Sequence, residues 1–148
     1  ADAFDNYAGA HPLRAMALQS PRTAPVDYMR EANDGTLAFA MVETATALAC
    51  VDTIASTPGI DGLFVGPYDL ATALSGGSAQ DVQAAQVEQA IDTICAAAKK
   101  ADKIPGIYCR DAESAVAMAK RGYRFIIAGN DQTTLRSATV TQLKALKS

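Results

Sequence analysis

The stretch Gly62-Leu63-Phe64-Val65-Gly66-Pro67-Tyr68-Asp69-Leu70 decides the fold class of this chain. It opens with a short apolar run bounded by glycines, which is typical of a strand buried on both faces of a sheet. Asp69 then opens a helical segment that the pattern extends to Leu74. A buried strand followed at once by a helix is the unit from which parallel sheets are built.

The same order of strand and helix recurs on both sides of this stretch. Further strands are predicted at residues 37–42, 104–109 and 123–128, and helices at residues 25–33, 44–56, 80–101, 111–121 and 132–146. Four apolar strands, each followed by a helix, predict an α/β fold with a parallel sheet and helical crossovers. Both a doubly wound open sheet and part of a (β/α)₈ barrel fit this order, although the GxGxxG motif of dinucleotide-binding sheets is missing.

The number of repeats bears on the domain organisation. A whole barrel has eight strand–helix units over about 250 residues, so four units in 148 residues correspond to half a barrel. We predict a single domain over residues 1–148, with an irregular lead-in at 1–22 and a helix plus four βα units at 23–148. The first residue is Ala1, and half a barrel leaves sheet edges and an apolar interior uncovered. We therefore expect the functional protein to contain more chain, a second subunit, or both.

Composition excludes several classes of protein. The net charge of −3 lacks the basic excess by which proteins bind nucleic acid or anionic membranes. No apolar run reaches the ~20 residues that span a bilayer, and no signal-peptide pattern opens the sequence. The three cysteines, Cys50, Cys95 and Cys109, lack CxxC spacing. We expect reduced, mostly buried thiols and a cytoplasmic protein.

Acidic residues follow two neighbouring strands of the predicted sheet. Glu43 comes directly after the first strand, and Gly66-Pro67-Tyr68-Asp69 follows the second. Adjacent parallel strands lie ~4.8 Å apart, so the Glu43 and Asp69 carboxylates can converge on one hard divalent cation. Mg²⁺ is usually held by one or two carboxylates with water, and Mn²⁺ accepts similar ligands. Such an ion would bind a bidentate substrate, for which pyruvate is a good candidate.

Each of these residues also has a structural interpretation. Glu43 could be an acid favoured at a helix N-terminus, and Asp69 could be a helix N-cap. Gly66 and Pro67 could merely end a strand, although a glycine also lets a ligand approach the backbone. Tyr68 could line the mouth of a pocket or pack on its loop.

Other polar residues near strand ends favour structural roles. Arg110 and Asp111 are predicted to form a solvated pair in which Asp111 caps a helix. The run Gly129-Asn130-Asp131 is predicted to form a turn with a capping Asp. His11 reads as a surface loop residue. No lysine ends a predicted strand, so nothing indicates a Schiff-base mechanism.

Several of these motifs together resemble one known family. The stretch Met41-Val42-Glu43-Thr44, followed by the run from Pro58 to Leu70, is similar to the paired ET and GPxDL motifs of the HpcH/HpaI aldolases. Residues 105–107 and 129–131 resemble the family's seventh and eighth strands, and the similarity spans residues 27–146.

The resemblance implies the C-terminal half of a (β/α)₈ barrel, strands five to eight, in a class II aldolase. Such enzymes cleave or form 2-oxo-acid aldols through a metal-stabilised pyruvate enolate, and they are usually hexamers. Glu43 and Asp69 match the ligands of Mg²⁺ or Mn²⁺. The loop of Gly66, Pro67, Tyr68 and Asp69 matches the one that holds the pyruvate carboxylate. The implied partners are pyruvate or another 2-oxo acid, an aldehyde and further copies of the chain.

The chain also departs from the family. Met41 stands where members commonly carry Gln, and Ala71 where they often carry Ser. The family's histidine base and keto-oxygen arginine come from the first half of the barrel, so no catalytic residue is assignable in this chain. Two alternatives therefore stay open: a catalytically incomplete homologue acting in binding or assembly, and another enolate enzyme of the superfamily, such as a decarboxylase or CoA-ester lyase.

Overall fold

The structure, a computed structural model, describes Ala32 and residues 34–146. Four strands lie in this part of the chain: β1 (Phe39–Val42), β2 (Gly62–Val65), β3 (Ile104–Cys109) and β4 (Phe125–Ala128). Its helices are α1 (Ala45–Ala49), α2 (Val51–Ala55), α3 (Pro67–Leu74), α4 (Ala85–Lys100), α5 (Ala112–Arg121) and α6 (Asp131–Ala145). The predicted alternation of strands and helices is confirmed.

The four strands form one parallel sheet in the order β1-β2-β3-β4. Val42 lies opposite Val65, and Val65 lies opposite Ile107. Each strand therefore pairs with the next one along the chain, and the order never reverses as it does in a doubly wound sheet. This sequential order favours the barrel over the open sheet.

The hydrophobic core lies between the sheet and its helices. Leu63, Val65 and Ile107 point to this side, and each is at most 1% exposed. Helix α4 contributes Ile91 and Ile94, three residues apart on one helical face, and both are at most 2% exposed. Burying each such side chain contributes about 1.5–3 kcal/mol, so this layer stabilises the unit.

The other side of the sheet, which we call the inner face, carries Phe39, Met41, Phe64, Phe125 and Ile127. The rings of Phe39 and Phe125 stack with centroids 4.7 Å apart, although two strands separate β1 from β4. In a flat sheet, three strand spacings would place their backbones about 14 Å apart, too far for the rings to meet. The sheet therefore curves strongly around the inner face, as the wall of a barrel does.

This face explains one wrong prediction. The first two strands were expected to be buried on both faces, and of these only β2 is buried at every position. Met41 is 55% exposed, and Phe125 and Ile127 are each 43% exposed. The described part of the chain leaves the inner face partly uncovered, so apolar residues of β1 and β4 contact solvent there.

Helix boundaries differ from the predictions where local geometry intervenes. The helix predicted at residues 44–56 is divided at Cys50, whose φ of −106° and ψ of 14° lie outside the helical range. The helix predicted from residue 80 begins at Ala85, because the Asp81 side chain accepts the Gln83 amide in a turn. Helix α3 begins at Pro67, since proline fits the first helical position.

Some predictions fall on residues outside this description. The chain divides into two compact units, Ala1–Ala38 and Phe39–Ser148, and every described helix and strand belongs to the second. The lead-in at 1–22, His11 and nearly all of the helix at 25–33 are not described, so the single-domain prediction stays a prediction. The described helices include none that is long and apolar enough to cross a bilayer. Two of the three thiols, Cys95 and Cys109, are buried as predicted, and Cys50 is exposed.

Candidate active site

Glu43 and Gly66 lie side by side at the carboxyl edge of the sheet. Each follows a strand end directly, and those ends, Val42 and Val65, are register partners. A Cβ atom on Gly66 would lie 2.7 Å from Oε2 and 3.3 Å from Cβ of Glu43. The half-buried Glu43 side chain therefore leans over the backbone of the neighbouring strand, towards the loop that leads to Asp69.

The alternative role of Glu43 at a helix N-terminus finds no support. Thr44 is the N-cap of α1, and its hydroxyl accepts the Ala47 amide at 3.1 Å. Glu43 precedes that cap, and the first turn of α1 contains no acidic residue. Glu43 therefore belongs to the edge of the sheet.

Asp69 lies in the first turn of α3 and is exposed. The N-cap of this helix is Gly66, which corrects the interpretation of Asp69 as a simple cap. Within the described part of the chain no side chain caps α3, so the amides of its first turn carry the partial positive charge of a helix start. Asp69 belongs to that first turn, where the partial positive charge stabilises an acid.

Tyr68 and Tyr108 form an aromatic pair at the same edge. Their ring centroids are 6.2 Å apart, and Asn130 Nδ2 donates to the Tyr108 hydroxyl at 3.3 Å. Asn130 also caps α6 by accepting the Thr133 amide at 2.8 Å, which corrects the prediction of a capping Asp in this turn.

The sequence analysis did not single out Tyr108, although the alternation of residues along its strand contains a signal for it. It alternates along β3 with Ile107 and Cys109, whose buried side chains face the helices. Tyr108 therefore belongs to the inner face, like its register partner Ile127 on β4. Alternation combined with a position near a strand end could have identified it.

Arg110 and Asp111 form the solvated pair that was predicted. Arg110 Nε lies 3.6 Å from Asp111 Oδ2, with both side chains largely exposed. Asp111 caps α5 by accepting the Ser114 amide at 2.9 Å, and hydrogen bonds from the Ser114 hydroxyl and amide lower the pKa of Asp111. These contacts account for both residues structurally.

A cleft of about 430 Å³ opens beside this edge, between the α4 and α5 helices. Tyr68 and Tyr108 belong to its wall, together with Ile91, Cys109 and Met118. Burial raises the pKa of the Cys109 thiol, so this sulfur is a weak nucleophile at neutral pH.

The donor chemistry of Glu43 and Asp69 fits a hard divalent cation. Both supply carboxylate oxygens, and a Cβ-free position beside Glu43 leaves its carboxylate room at the sheet edge. Residues 34–146 contain no cluster of three or more His, Cys, Asp and Glu side chains that could hold a metal. The pair therefore suits Mg²⁺ or Mn²⁺, which take water and substrate as further ligands, better than a zinc site enclosed by protein ligands.

One departure from the family pattern lies in the hydrophobic core. Ala71 is 1% exposed and packs in the hydrophobic core. A serine hydroxyl at this position would therefore lie among packed side chains. Met41, by contrast, lies on the inner face two residues before Glu43.

A sequentially ordered parallel sheet with acids at its carboxyl edge is the arrangement of (β/α)₈ barrel enzymes, and comparison with known proteins assigns the family. The profile of the HpcH/HpaI aldolase/citrate lyase family matches residues 12–138. The chain belongs to this family.

Individual relatives carry the names of aldolases. The chain is 38% identical over 122 residues to a hydroxypyruvate/pyruvate aldolase of Paraburkholderia phytofirmans, covering 82% of this chain and 46% of that enzyme. It is 36% identical over 121 residues to a 5-keto-4-deoxy-D-glucarate aldolase of Klebsiella pneumoniae, with the same coverage of 82% and 46%. The chain thus spans about half the length of the curated relatives it matches.

A solved structure supports the fold directly. A HpcH/HpaI aldolase/citrate lyase family protein from Burkholderia cenocepacia superposes with a TM-score of 0.78 at 37% identity, covering 94% of this chain and 52% of that one. The predicted α/β fold and partial barrel are confirmed.

Proposed function

We propose that the protein carrying this chain is a metal-dependent aldolase, a carbon–carbon lyase that cleaves or forms aldols of 2-oxo acids. The observation that carries this proposal is the Glu43 carboxylate against Gly66, at the sheet edge from which the Asp69 loop departs. The names of the relatives, which include pyruvate and keto-sugar-acid aldolases, support the choice of a 2-oxo acid as substrate. The second substrate is an aldehyde.

Two acids of this chain hold the cofactor in this proposal. Glu43 and Asp69 bind Mg²⁺ or Mn²⁺ through carboxylate oxygens, and the ion, when bound, supplies a Lewis acid that polarises the keto oxygen. Glu43 is oriented by the neighbouring strand, because its carboxylate lies against the Gly66 backbone. Asp69 is held by the first turn of α3.

The start of α3 binds the substrate carboxylate. The backbone amides around Tyr68 and Asp69 lie in a first turn that no described side chain caps, and helix N-termini attract anions. Gly66 and Pro67 complete this loop, and Pro67 removes one donor while presetting the helical turn. The substrate carboxylate and the metal are thus placed at the same strand end.

The proton-transferring base and the keto-oxygen arginine lie outside this chain in our proposal. Glu43 and Asp69 are engaged by the metal in this proposal, and burial raises the pKa of the Cys109 thiol, so we assign proton transfer to none of these three groups. We therefore assign binding and orientation to this chain, and proton transfer to the remainder of the barrel.

The test compares Glu43→Gln and Asp69→Asn with Glu113→Gln, an exposed acid on α5, all in the full-length protein. Pyruvate release from a 4-hydroxy-2-oxo acid is measured with Mn²⁺ and with EDTA, and Mn²⁺ affinity by EPR. Loss of an outer-shell partner weakens metal sites about 10–100-fold, so each site variant should lose at least that much affinity. Full turnover in EDTA, or unchanged Mn²⁺ binding in both variants, would refute the aldolase mechanism. Metal binding without turnover in the native protein would favour the catalytically incomplete homologue.

We further propose that the protein is a homo-oligomer, a hexamer by family resemblance. The support is α6, a helix of 15 residues with no buried residue, on which Leu135 is 71% exposed and Leu143 is 51% exposed. A helix of this length is marginal in water without tertiary packing. We propose a cytoplasmic location, supported by three cysteines that are all free in the described chain.

A further inference from the structure

We infer that Gly66 is a positioning residue for Glu43: the absence of a side chain directly after β2 sets where the carboxylate directly after β1 lies. This inference rests on the proposed function, and it gives Gly66 a role other than contact with the substrate. A Cβ atom built on Gly66 meets Glu43 at all of its three nearest contacts, which are Oε2 at 2.7 Å, Cβ at 3.3 Å and Cδ at 3.7 Å.

The requirement for glycine is one of space and not of backbone conformation. Gly66 has a φ of −95° and a ψ of 87°, where residues with side chains are not excluded by left-handed geometry. A methyl group at this position would overlap only the Glu43 side chain among the nearest described neighbours. Alanine should therefore fold normally and displace the carboxylate.

The displacement matters because metal ligation requires accurate placement. Real Cβ atoms essentially never approach an oxygen as closely as 2.7 Å, so the Glu43 carboxylate must rotate away from β2 to accommodate a methyl group. β2 leads into α3, which carries Asp69. The rotated Glu43 carboxylate therefore leaves the position that it holds in the proposed site, and small errors in ligand position strongly weaken a site.

The test is Gly66→Ala in the full-length protein, with Mn²⁺ affinity measured by EPR and folding by thermal unfolding. We expect Mn²⁺ binding to weaken about tenfold or more, in the range for loss of an orienting partner, with little change in Tm. Gly106→Ala is the matched control, since a methyl there would meet Phe64 at 2.9 Å, the Leu63 carbonyl oxygen at 3.2 Å and Phe125 at 3.3 Å, away from any carboxylate. The control should lower Tm and leave Mn²⁺ affinity close to that of the native protein.

A compensating change separates repositioning of Glu43 from damage to the loop. Glu43→Asp shortens the acid by one methylene and vacates space above Gly66. In the double variant, Mn²⁺ affinity should therefore exceed the value that the two single variants predict additively.

The outcomes separate this inference from the proposed function. The role of Gly66 is overturned if Gly66→Ala binds Mn²⁺ with native affinity, or if the effects of the two single variants add strictly in the double variant. The proposed metal site survives either result, provided that Glu43→Gln abolishes Mn²⁺ binding. If Glu43→Gln itself retains full Mn²⁺ binding, the proposed metal site fails as well.

Discussion

Replacing Tyr123 by Phe tests how β4 is attached to the helical layer. Tyr123 is 3% exposed just before β4, and its hydroxyl donates to the Ile91 carbonyl of α4 at 2.8 Å. A neutral hydrogen bond contributes about 0.5–1.5 kcal/mol. The Ile91 carbonyl keeps its helical hydrogen bond in the variant, so we expect a loss of about 1 kcal/mol at pH 8.

The same substitution has a pH dependence whose sign follows from burial. Burial raises the pKa of Tyr123 well above the unfolded value of 10.0. Above pH 10 the unfolded chain releases this proton and the folded chain keeps it, so stability present below pH 10 is progressively lost as pH rises. At pH 11 the loss is about RT ln 11, or about 1.4 kcal/mol, and Tyr123→Phe does not suffer it.

The free energies of unfolding of the native protein and of Tyr123→Phe should therefore converge as the pH rises from 8 to 11. Urea unfolding followed by circular dichroism at pH 8 and pH 11 measures both proteins under identical conditions, so ionisations that they share cancel. The native advantage of about 1 kcal/mol should vanish or reverse slightly at pH 11. An advantage that stays constant or grows between the two pH values would show that Tyr123 is not a buried neutral donor.

Three further predictions concern the helical layer, the inner face and the assembly. Arg121→Met should lower the free energy of unfolding by about 1–2 kcal/mol in urea titrations, because Arg121 bridges α5 to Glu88 at 2.6 Å and Asp92 at 2.7 Å on α4. Phe125→Ala should cost about 2 kcal/mol in the same assay, roughly half the value for a fully buried ring, since Phe125 is 43% exposed; a loss below about 0.5 kcal/mol would contradict a stabilising stack with Phe39. Leu135→Asp should reduce the mass measured by light scattering, and an unchanged mass would remove α6 from the proposed interface.

The sequence predicted the elements well wherever an apolar run has sharp limits. Strand β3 was placed at the observed residues, because Lys103 and Arg110 bound an apolar run. Strand β1 begins two residues later than predicted, since Leu37 is apolar but 58% exposed. The division of a helix at Cys50 had no sequence signal, because no glycine or proline marks it.

The candidate site was only partly predictable, for a physical reason. Glu43, Gly66 and Asp69 follow strand ends, and their common edge follows from parallel topology alone. The contact between Glu43 and Gly66 depends on strand register and on a side-chain rotamer, neither of which a pattern of residue types contains. The convergence of Glu43 and Asp69 on one ion stays a prediction.

The stacked pair of Phe39 and Phe125 has a consequence for how the barrel is completed. Two rings that touch across four strands close the chord of the arc that these strands form, and an arc of given length with a given chord has one radius. The contact between these two rings therefore sets the curvature of the sheet, and with it the diameter of the barrel that the sheet would form. The chain segment or subunit that supplies the remaining strands must pair with the two edges of this sheet, whose separation is already set. It need not bend the sheet itself.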